Sequence, residues 1–269
     1  MLSKASGKSK EWILAHPEYK NFWTLLKYAY YLRKLKKGIP MAYILGHKEF
    51  FNLDFLVNKY TLIPRPDTET LVDVVIDKIS NFKFPISNLL LIDVGTGTGC
   101  IPISILKRFK DSKDIKINAI ATDISKGALK IARKNAKKHA VNIQFLHGNL
   151  LSPVLQPACR QAGLYKLTDL QTIIITANLP YLKEEWWGKE PSIQHEPKSA
   201  LVSDAETGLK IYENLLQQIK TVKCVVFLEI DPRQSSQIFN LIQKYLPSAD
   251  IEIIKDLNCF DRVVKVKTS

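Results

Sequence analysis

The chain has 269 residues, and 46% of them are hydrophobic. Such a chain can bury a core in one large domain or in two unequal ones. No segment approaches the roughly 18 uninterrupted apolar residues of a membrane-spanning helix. The lysine-containing amino terminus also lacks the apolar part of a secretory signal. These features argue against a membrane protein and predict a cytoplasmic one.

The charge and the cysteines narrow the possible ligands. The formal net charge of +13 attracts nucleic acid. The lysines are spread along the whole chain, so direct nucleic-acid binding is an alternative and not a requirement. The four cysteines, Cys100, Cys159, Cys224 and Cys259, form no C-x-x-C pair of the kind used by zinc and redox sites. We therefore expect no metal, and thiols that stay reduced.

The first 45 residues predict a small helical domain. Apolar residues recur at helical spacing in residues 11–14 and 22–35, with basic side chains on the other face. The sequence Gly38-Ile39-Pro40 is typical of the end of a helical part.

A hairpin and a larger domain are predicted after this helical part. Residues 47–58 change to aromatic and β-branched side chains with partial alternation, which predicts a β-hairpin within a linker over residues 46–67. Residues 68–79 predict a helix with one apolar face. We assign residues 68–269 to a single α/β domain.

Strands alternate with helices from residue 89 onward. The predicted helices are 100–109, 126–139, 207–220 and 233–245, and the predicted strands are 89–93, 116–122, 143–147, 172–177, 223–230, 250–255 and 262–267. This alternation implies right-handed crossovers and a parallel sheet covered on both faces. The last two strands lack a helix between them and should pair antiparallel. We therefore expect a seven-stranded, mostly parallel sheet.

A glycine-rich loop follows the first of these strands and opens a helix. Its sequence is Asp93-Val94-Gly95-Thr96-Gly97-Thr98-Gly99. A dinucleotide fingerprint is G-x-G-x-x-G, whose third glycine would fall at Cys100. The observed G-x-G-x-G form resembles the loop that binds S-adenosylmethionine, which has no pyrophosphate. We assign six residues of this loop to the cofactor: Asp93, Gly95, Thr96, Gly97, Thr98 and Gly99.

Two further strand ends add candidate cofactor residues. Asp123 ends the second strand, where a carboxylate can accept hydrogen bonds from both ribose hydroxyls. The alternative is an aspartate that only caps the helix beginning near Ser125. Asn149 and Leu150 follow the third strand and are assigned to the adenine amino group and ring. An ordinary loop is the alternative at these two positions.

The fourth strand runs into Asn178-Leu179-Pro180-Tyr181. The Asn178 side-chain oxygen and the carbonyl of Leu179 or Pro180 can accept the two hydrogens of an amide or amino nitrogen. These acceptors would fix a weakly nucleophilic nitrogen in line with the sulfonium methyl group. Tyr181 can stack on a planar substrate group or face the sulfonium cation. We predict that Asn178, Pro180 and Tyr181 are catalytic and that Asn178 also borders the cofactor; a common Asn-x-Pro turn is the alternative.

The chain resembles the protein-(glutamine-N(5)) methyltransferases of the HemK/PrmC family along nearly its whole length. The motifs that carry the resemblance are the glycine loop, Pro40-Met41-Ala42-Tyr43-Ile44-Leu45-Gly46, Leu62-Ile63-Pro64-Arg65-Pro66-Asp67-Thr68-Glu69, Glu196-Pro197, Ala200-Leu201, Gly208-Leu209, Leu228-Glu229-Ile230 and Asp261-Arg262-Val263-Val264. The resemblance implies a class I (Rossmann-like) methyltransferase domain preceded by a helical substrate-recognition domain.

The same resemblance implies a reaction and a partner. Family members methylate the glutamine of the Gly-Gly-Gln loop in peptide-chain release factors and leave S-adenosylhomocysteine as product. By motif, Asn178, Leu179, Pro180 and Tyr181 would hold the glutamine amide, with Arg65, Pro66 and Glu69 near the site. We expect a monomer that meets the release factor through its helical part.

Three features depart from the family pattern. Leu179 stands where the family usually has proline, and Asn-Leu-Pro-Tyr is typical of the ribosomal RNA adenine dimethyltransferases. An adenine-N6 methyltransferase acting on RNA or DNA is therefore the alternative. Family members usually have one or two more helices before Leu2. The segment 153–171 is also longer than expected.

Overall fold

The structure is a computed structural model that describes residues 1–82, 86–156, 172–203 and 206–268, with the backbone alone for residues 86–88. Most of the unexpectedly long segment 153–171 lies outside the described residues, as does Cys159. Among the described helices, none combines the length and the hydropathy that crossing a membrane requires.

Four helices form the amino-terminal part of the chain, and α3 is the longest of them. Their bounds are α1 (Leu2–Ser6), α2 (Lys10–Ala15), α3 (Phe22–Lys36) and α4 (Met41–Leu45). The predicted break at Gly38-Ile39-Pro40 marks the end of α3, but it does not end the helical part, because α4 begins directly after Pro40. A proline suits this place since the first amides of a helix have no partner inside it.

The predicted hairpin is confirmed. Strands β1 (His47–Phe50) and β2 (Leu53–Leu56) pair antiparallel through a two-residue turn. Both turn residues, Phe51 and Asn52, have positive φ, which matches the right-handed twist of the two strands. The Phe51 N–H donates to the Glu69 carboxylate at 2.8 Å, so this turn is tied to the helix that follows the linker.

The seven-stranded sheet is also confirmed. Its strands lie in the order β5-β4-β3-β6-β7-β9-β8, and β9 runs antiparallel to both of its neighbours. The strand bounds are β3 (Ile86–Val94), β4 (Ile115–Asp123), β5 (Gln144–His147), β6 (Thr172–Ala177), β7 (Val225–Glu229), β8 (Asp250–Lys255) and β9 (Asp261–Lys267). The strands β3 to β7 are mutually parallel, so their carboxyl ends share one edge.

Helices cover both faces of the sheet. Their bounds are α5 (Asp67–Ser80), α6 (Cys100–Phe109), α7 (Lys126–Lys138), α8 (Ser152–Leu155), α9 (Glu184–Lys189), α10 (Lys210–Ile219) and α11 (Ser235–Tyr245). Alternate β3 residues point to opposite faces. Leu90 and Ile92 join a core with α10 and α11, whereas Leu89 and Leu91 join a core with α5, α6 and the hairpin. The sheet is therefore packed between two layers, and its carboxyl edge is fixed in position by both.

Candidate active site

A cavity of about 530 Å³ opens at the carboxyl edge of the sheet. Ligands of open α/β sheets bind at this edge, and the volume lies within the usual range for small-molecule sites. Its walls include the glycine loop, the Asn178–Pro180 turn, the linker before α5, the segments that follow β4 and β5, residues 197–202 and the start of α10. Of the predicted residues, the cavity is lined by Arg65, Gly95, Thr96, Gly97, Thr98, Asp123, Asn149, Leu150, Asn178, Leu179 and Pro180.

The glycine loop is folded against the end of β4. The amides of Gly95 and Thr96 both donate to the Thr122 carbonyl, at 2.9 and 3.0 Å. Gly95 has φ +72°, and a Cβ there would lie 3.0 Å from the Leu179 side chain. Glycine at this position therefore permits both the left-handed backbone and the close approach of the Asn178–Pro180 turn.

Asp93 lies beneath this loop and is fully buried. One carboxylate oxygen accepts from the Thr176 hydroxyl at 2.7 Å. The other has no hydrogen-bond partner among the described residues. Burial raises the pKa of Asp93 to about 6. The structure thus places Asp93 behind the cavity wall, with one acceptor left unmatched.

Asp123 contributes a carboxylate to the cavity wall. Its two oxygens accept the backbone N–H groups of Gly97 and Ser125, each at 2.8 Å. The Ser125 hydroxyl caps α7 by accepting from Ala128, so the helix does not depend on Asp123 for its cap. Burial raises the pKa of Asp123 above its usual value. Each oxygen retains a lone pair for a ligand.

Two apolar side chains beside Asp123 were missed in the sequence. Ile124 is 66% exposed and lines the cavity directly after the carboxylate. Tyr60 comes from the linker, and its ring packs on α7 where a Cβ on Gly127 would lie 2.7 Å away. The only available sign of this contact was Gly127 inside the predicted helix, because a glycine there allows a close approach. Nothing in the sequence indicates that residue 60 makes that approach.

The Asn178–Pro180 turn lines the cavity and carries the candidate acceptors. The Asn178 side-chain amide donates to the Thr68 hydroxyl at 3.1 Å, which leaves its oxygen free for a ligand. The buried Tyr212 hydroxyl lies 3.1 Å from the Leu179 carbonyl, so that carbonyl points into the core. Of the two backbone acceptors considered in the sequence, the Pro180 carbonyl is therefore the remaining candidate.

Tyr181 lies on the core side of this turn. Its ring packs against the hydrophobic core and is not among the described residues that line the cavity. Burial raises the pKa of its hydroxyl well above the usual value. Its carbonyl accepts from Gln234 at 3.0 Å, and Gly208 lies so close that a Cβ there would be 2.3 Å from the same oxygen. In this structure Tyr181 anchors the turn.

The three linker residues implied by the family resemblance have different surroundings. Arg65 lines the cavity and forms an ion pair with the buried Glu196, which also accepts the Ile63 N–H at 2.9 Å. Pro66 directly precedes α5. Glu69 bonds to the hairpin turn and is not among the residues lining the cavity. Only Arg65 of the three faces the cavity.

Comparison with known proteins defines the class. A family model described as a methyltransferase domain matches residues 91–162. The N-terminal domain of human METTL16 in complex with SAH superimposes with a TM-score of 0.52 at 16% identity, covering 81% of this chain and 76% of that one. The T. thermophilus 16S rRNA methyltransferase RsmC, in complex with AdoMet and guanosine, gives 0.51 at 11% identity, covering 83% and 50%. The fold is that of the class I methyltransferases.

Sequence similarity is more specific than this shared fold. The release factor glutamine methyltransferase of Bacillus anthracis is 34% identical over 239 residues, which cover 87% of this chain and 78% of the relative. Its counterpart in Bacillus subtilis is 34% identical over 245 residues, covering 89% and 79%. The chain belongs to the release factor glutamine methyltransferase family.

Proposed function

We propose that the chain transfers a methyl group from S-adenosylmethionine to the side-chain amide nitrogen of the glutamine in the Gly-Gly-Gln motif of peptide-chain release factors. The observation that carries the proposal is the position of Asn178, which lines the cavity and whose amide N–H₂ is bonded to Thr68, so that its oxygen remains as an acceptor. Membership of the release factor glutamine methyltransferase family identifies the substrate class.

The residues present fit S-adenosylmethionine. Asp123 offers carboxylate lone pairs for the ribose, and Ile124 and Leu150 offer apolar surface for the adenine ring with Asn149 beside them. The unmatched buried oxygen of Asp93 marks the glycine loop as the end suited to the ammonium group. When bound, S-adenosylmethionine supplies a methyl group made electrophilic by its sulfonium.

The protein's own contribution is orientation and electrostatics. An amide nitrogen is a weak nucleophile because its lone pair is delocalised. The Asn178 oxygen and the Pro180 carbonyl can accept its two hydrogens and stabilise the positive charge that develops on nitrogen. The methylated nitrogen can then release its proton to water, so the reaction requires neither a general base nor a metal.

The linker and the amino-terminal helices are proposed to meet the protein substrate. We assign residues 1–45 to release-factor recognition, 46–67 to the hairpin linker and 68–269 to methyl transfer. Helix α3 carries exposed apolar side chains beside lysines, including Phe22, Trp23 and Leu26. Exposed aromatic residues of this kind are typical of protein-binding surfaces. We expect the enzyme to act as a cytoplasmic monomer.

A second candidate is methylation of an adenine amino group in RNA or DNA. Leu179 in the catalytic turn and the net charge of +13 favour it. A flipped adenine presents an amino nitrogen with two hydrogens, which the same acceptors could hold. Nucleic-acid binding of this kind would weaken steeply with salt.

The decisive experiment offers labelled S-adenosylmethionine with purified release factor and ribosomal RNA in parallel. Label on the release factor, lost when its Gly-Gly-Gln glutamine is replaced by alanine, is the expected result. Label on the RNA alone would establish the second candidate instead. Replacing only the glutamine leaves the docking surfaces intact, so the control isolates the methylated atom.

A further inference from the structure

Glu196 is a buried acid directly behind the cavity wall. It is 5% exposed and is not among the described residues that line the cavity, although the next residue, Pro197, is. One carboxylate oxygen accepts the Ile63 N–H at 2.9 Å, and the other accepts from the Arg65 guanidinium. The Glu196 side chain is 1% exposed and that of Arg65 is 37% exposed. Glu196 therefore holds Arg65 from the interior, while Arg65 lines the cavity.

Of the two partners of Glu196, only Arg65 explains a charged group at this position. The Ile63 N–H is neutral, so any hydrogen-bond acceptor would satisfy it. A buried carboxylate is costly unless a cation is paired with it. The guanidinium has five N–H donors, so Arg65 can bond to Glu196 and still offer donors to a ligand.

The charges of the cavity wall make this ion pair important for the cofactor. Among the described residues that line the cavity, Lys59 and Arg65 are the cations, and Asp123 is the single acid. S-adenosylmethionine carries a sulfonium charge in addition to its ammonium and carboxylate groups, so the cofactor is a net cation. Without Glu196, the wall would therefore present an excess of positive charge to a positively charged ligand.

The size of the cavity allows the charge of Arg65 to act on the sulfonium. A cavity of about 530 Å³ is on the order of 10 Å across, which is close to the Debye length at about 0.1 M salt. Charges at this separation interact inside a protein site, and they do so less where solvent reaches them. An Arg65 without its counter-ion would therefore disfavour the sulfonium, although its partial exposure weakens the repulsion.

We propose that Glu196 is a positioning residue that neutralises Arg65 and so permits the cavity to bind a cationic cofactor beside a guanidinium. This role rests on the proposed function and deepens it, because it concerns the binding of S-adenosylmethionine in the same cavity. S-adenosylhomocysteine lacks the sulfonium methyl group and its charge, but is otherwise the same molecule. The ratio of the Kd for S-adenosylmethionine to the Kd for S-adenosylhomocysteine therefore reports the charge of the wall.

Three variants give the pair of Arg65 and Glu196 different net charges. Glu196→Gln keeps nearly the same shape and leaves the guanidinium without a counter-ion, so the Kd ratio should rise by about three- to tenfold. Arg65→Met leaves the carboxylate without its cation and should lower the ratio. The double variant Arg65→Met/Glu196→Gln is neutral again and should restore the wild-type ratio. Calorimetry without a methyl acceptor measures each Kd.

Glu196→Asp is the matched control, because it keeps the charge and shortens the side chain. Any loss of affinity in Glu196→Asp should affect both ligands equally, so the Kd ratio should stay at the wild-type value. Glu185→Gln removes an exposed acid and should also leave the ratio unchanged. Thermal unfolding establishes that each variant is folded, and Arg65→Met keeps the role of Glu196 testable if Glu196→Gln does not fold.

Two results would overturn this role for Glu196. One is an unchanged Kd ratio in Glu196→Gln, including an equal loss of affinity for both ligands, which would indicate that Glu196 only holds the linker in place. The other is a raised ratio that persists in the double variant. Failure of the proposed function is a separate observation, namely label transferred by the wild-type enzyme to RNA and not to release factor. The Kd ratio does not depend on that outcome, because no methyl acceptor is present when it is measured.

Discussion

Asn178 and Asp123 both lie in the cavity wall, and we predict that Asn178 serves methyl transfer and Asp123 serves cofactor binding. Asn178→Ala removes an acceptor for the reacting nitrogen, so kcat should fall by well over about tenfold while the Kd for S-adenosylmethionine stays nearly unchanged. Asp123→Ala removes the carboxylate at the proposed ribose site and should weaken the Kd by about tenfold or more. Initial rates measure kcat, and calorimetry measures the Kd for S-adenosylmethionine. The exposed residues Asn142 and Asp111 provide alanine controls. A loss of cofactor binding alone in Asn178→Ala would refute its assigned role.

Gly208 is required by the catalytic turn although it lies outside the cavity wall. It has φ +75°, and a Cβ would approach the Tyr181 carbonyl to 2.3 Å. Gly208→Ala should therefore displace the turn and lower kcat by about tenfold or more, since small shifts of positioned groups reduce rates strongly. Steady-state kinetics and thermal unfolding together provide the measurement.

Gly7 supplies the matched control for Gly208. It has nearly the same φ, +72°, but nothing lies within 4 Å of its Cβ position. Gly7→Ala should therefore show only the cost of the left-handed backbone, about 1 kcal/mol of stability, with kcat unchanged. Equal kinetic effects in the two variants would contradict the argument from close approach.

At the scale of elements, one asparagine connects the hairpin to the catalytic domain. Asn135 on α7 is fully buried, and its amide N–H₂ donates to the carbonyls of Leu56 and Thr98, at 3.1 and 2.9 Å. Its oxygen accepts the Leu56 N–H at 2.8 Å. A single side chain therefore joins the end of β2, the glycine loop and α7.

Removing this side chain should loosen the hairpin at the end of β2. Asn135→Ala leaves buried backbone groups of Leu56 and Thr98 without partners, so the free energy of unfolding should drop by about 2–4 kcal/mol. Urea unfolding measures the change, and protection of the Leu56 amide against hydrogen exchange should fall with it. Asn142→Ala, at an exposed position, is the control. Undiminished amide protection in Asn135→Ala would mean that the other contacts of the hairpin with α7, including the ion pair of Lys138 with Asp54, are sufficient to hold it.

Periodicity predicted most elements because it depends on neighbours in sequence. The helix at Cys100–Phe109 and the strand at Thr172–Ala177 have the predicted bounds, and the apolar face of α5 is buried as expected. Short helices such as α4 and α9 were missed, since five or six residues offer too few turns for a repeat to be recognised. The antiparallel last pair followed from the absence of a helix between its strands.

The supporting contacts of the site could not be predicted in the same way. Thr68 meets Asn178 across 110 residues, and Arg65 meets Glu196 across 131. Such pairs are created by the packing of the sheet, and no local pattern encodes them. Tyr181 shows the same limit, because the sequence placed it near the substrate and only the position of Gly208 and Gln234 shows how its backbone is held.

At the scale of the whole molecule, buried carboxyl groups gather at one edge of a strongly basic protein. Asp93, Asp123 and Glu229 lie at the ends of β3, β4 and β7, and burial raises the pKa of each. A chain with a formal net charge of +13 therefore has a cluster of buried carboxyl groups at the carboxyl edge of its sheet. Burying these three carboxyl groups lowers the stability of the folded protein. Such a cost is expected at a site selected for cofactor binding and catalysis.

Glu229 makes this cost measurable as a pH dependence. Burial raises its pKa from 4.5 to about 7, so between these values the folded protein holds a proton that the unfolded chain has released. Stability therefore falls as the pH rises through this window, and the contribution of Glu229 reaches about 3 kcal/mol above pH 7. Glu229→Gln removes it, so the stability of the variant relative to wild type should increase by about that amount between pH 5 and pH 8 in urea unfolding. The exposed Glu185→Gln should show no such change, and a pH-independent difference for Glu229→Gln would contradict the raised pKa.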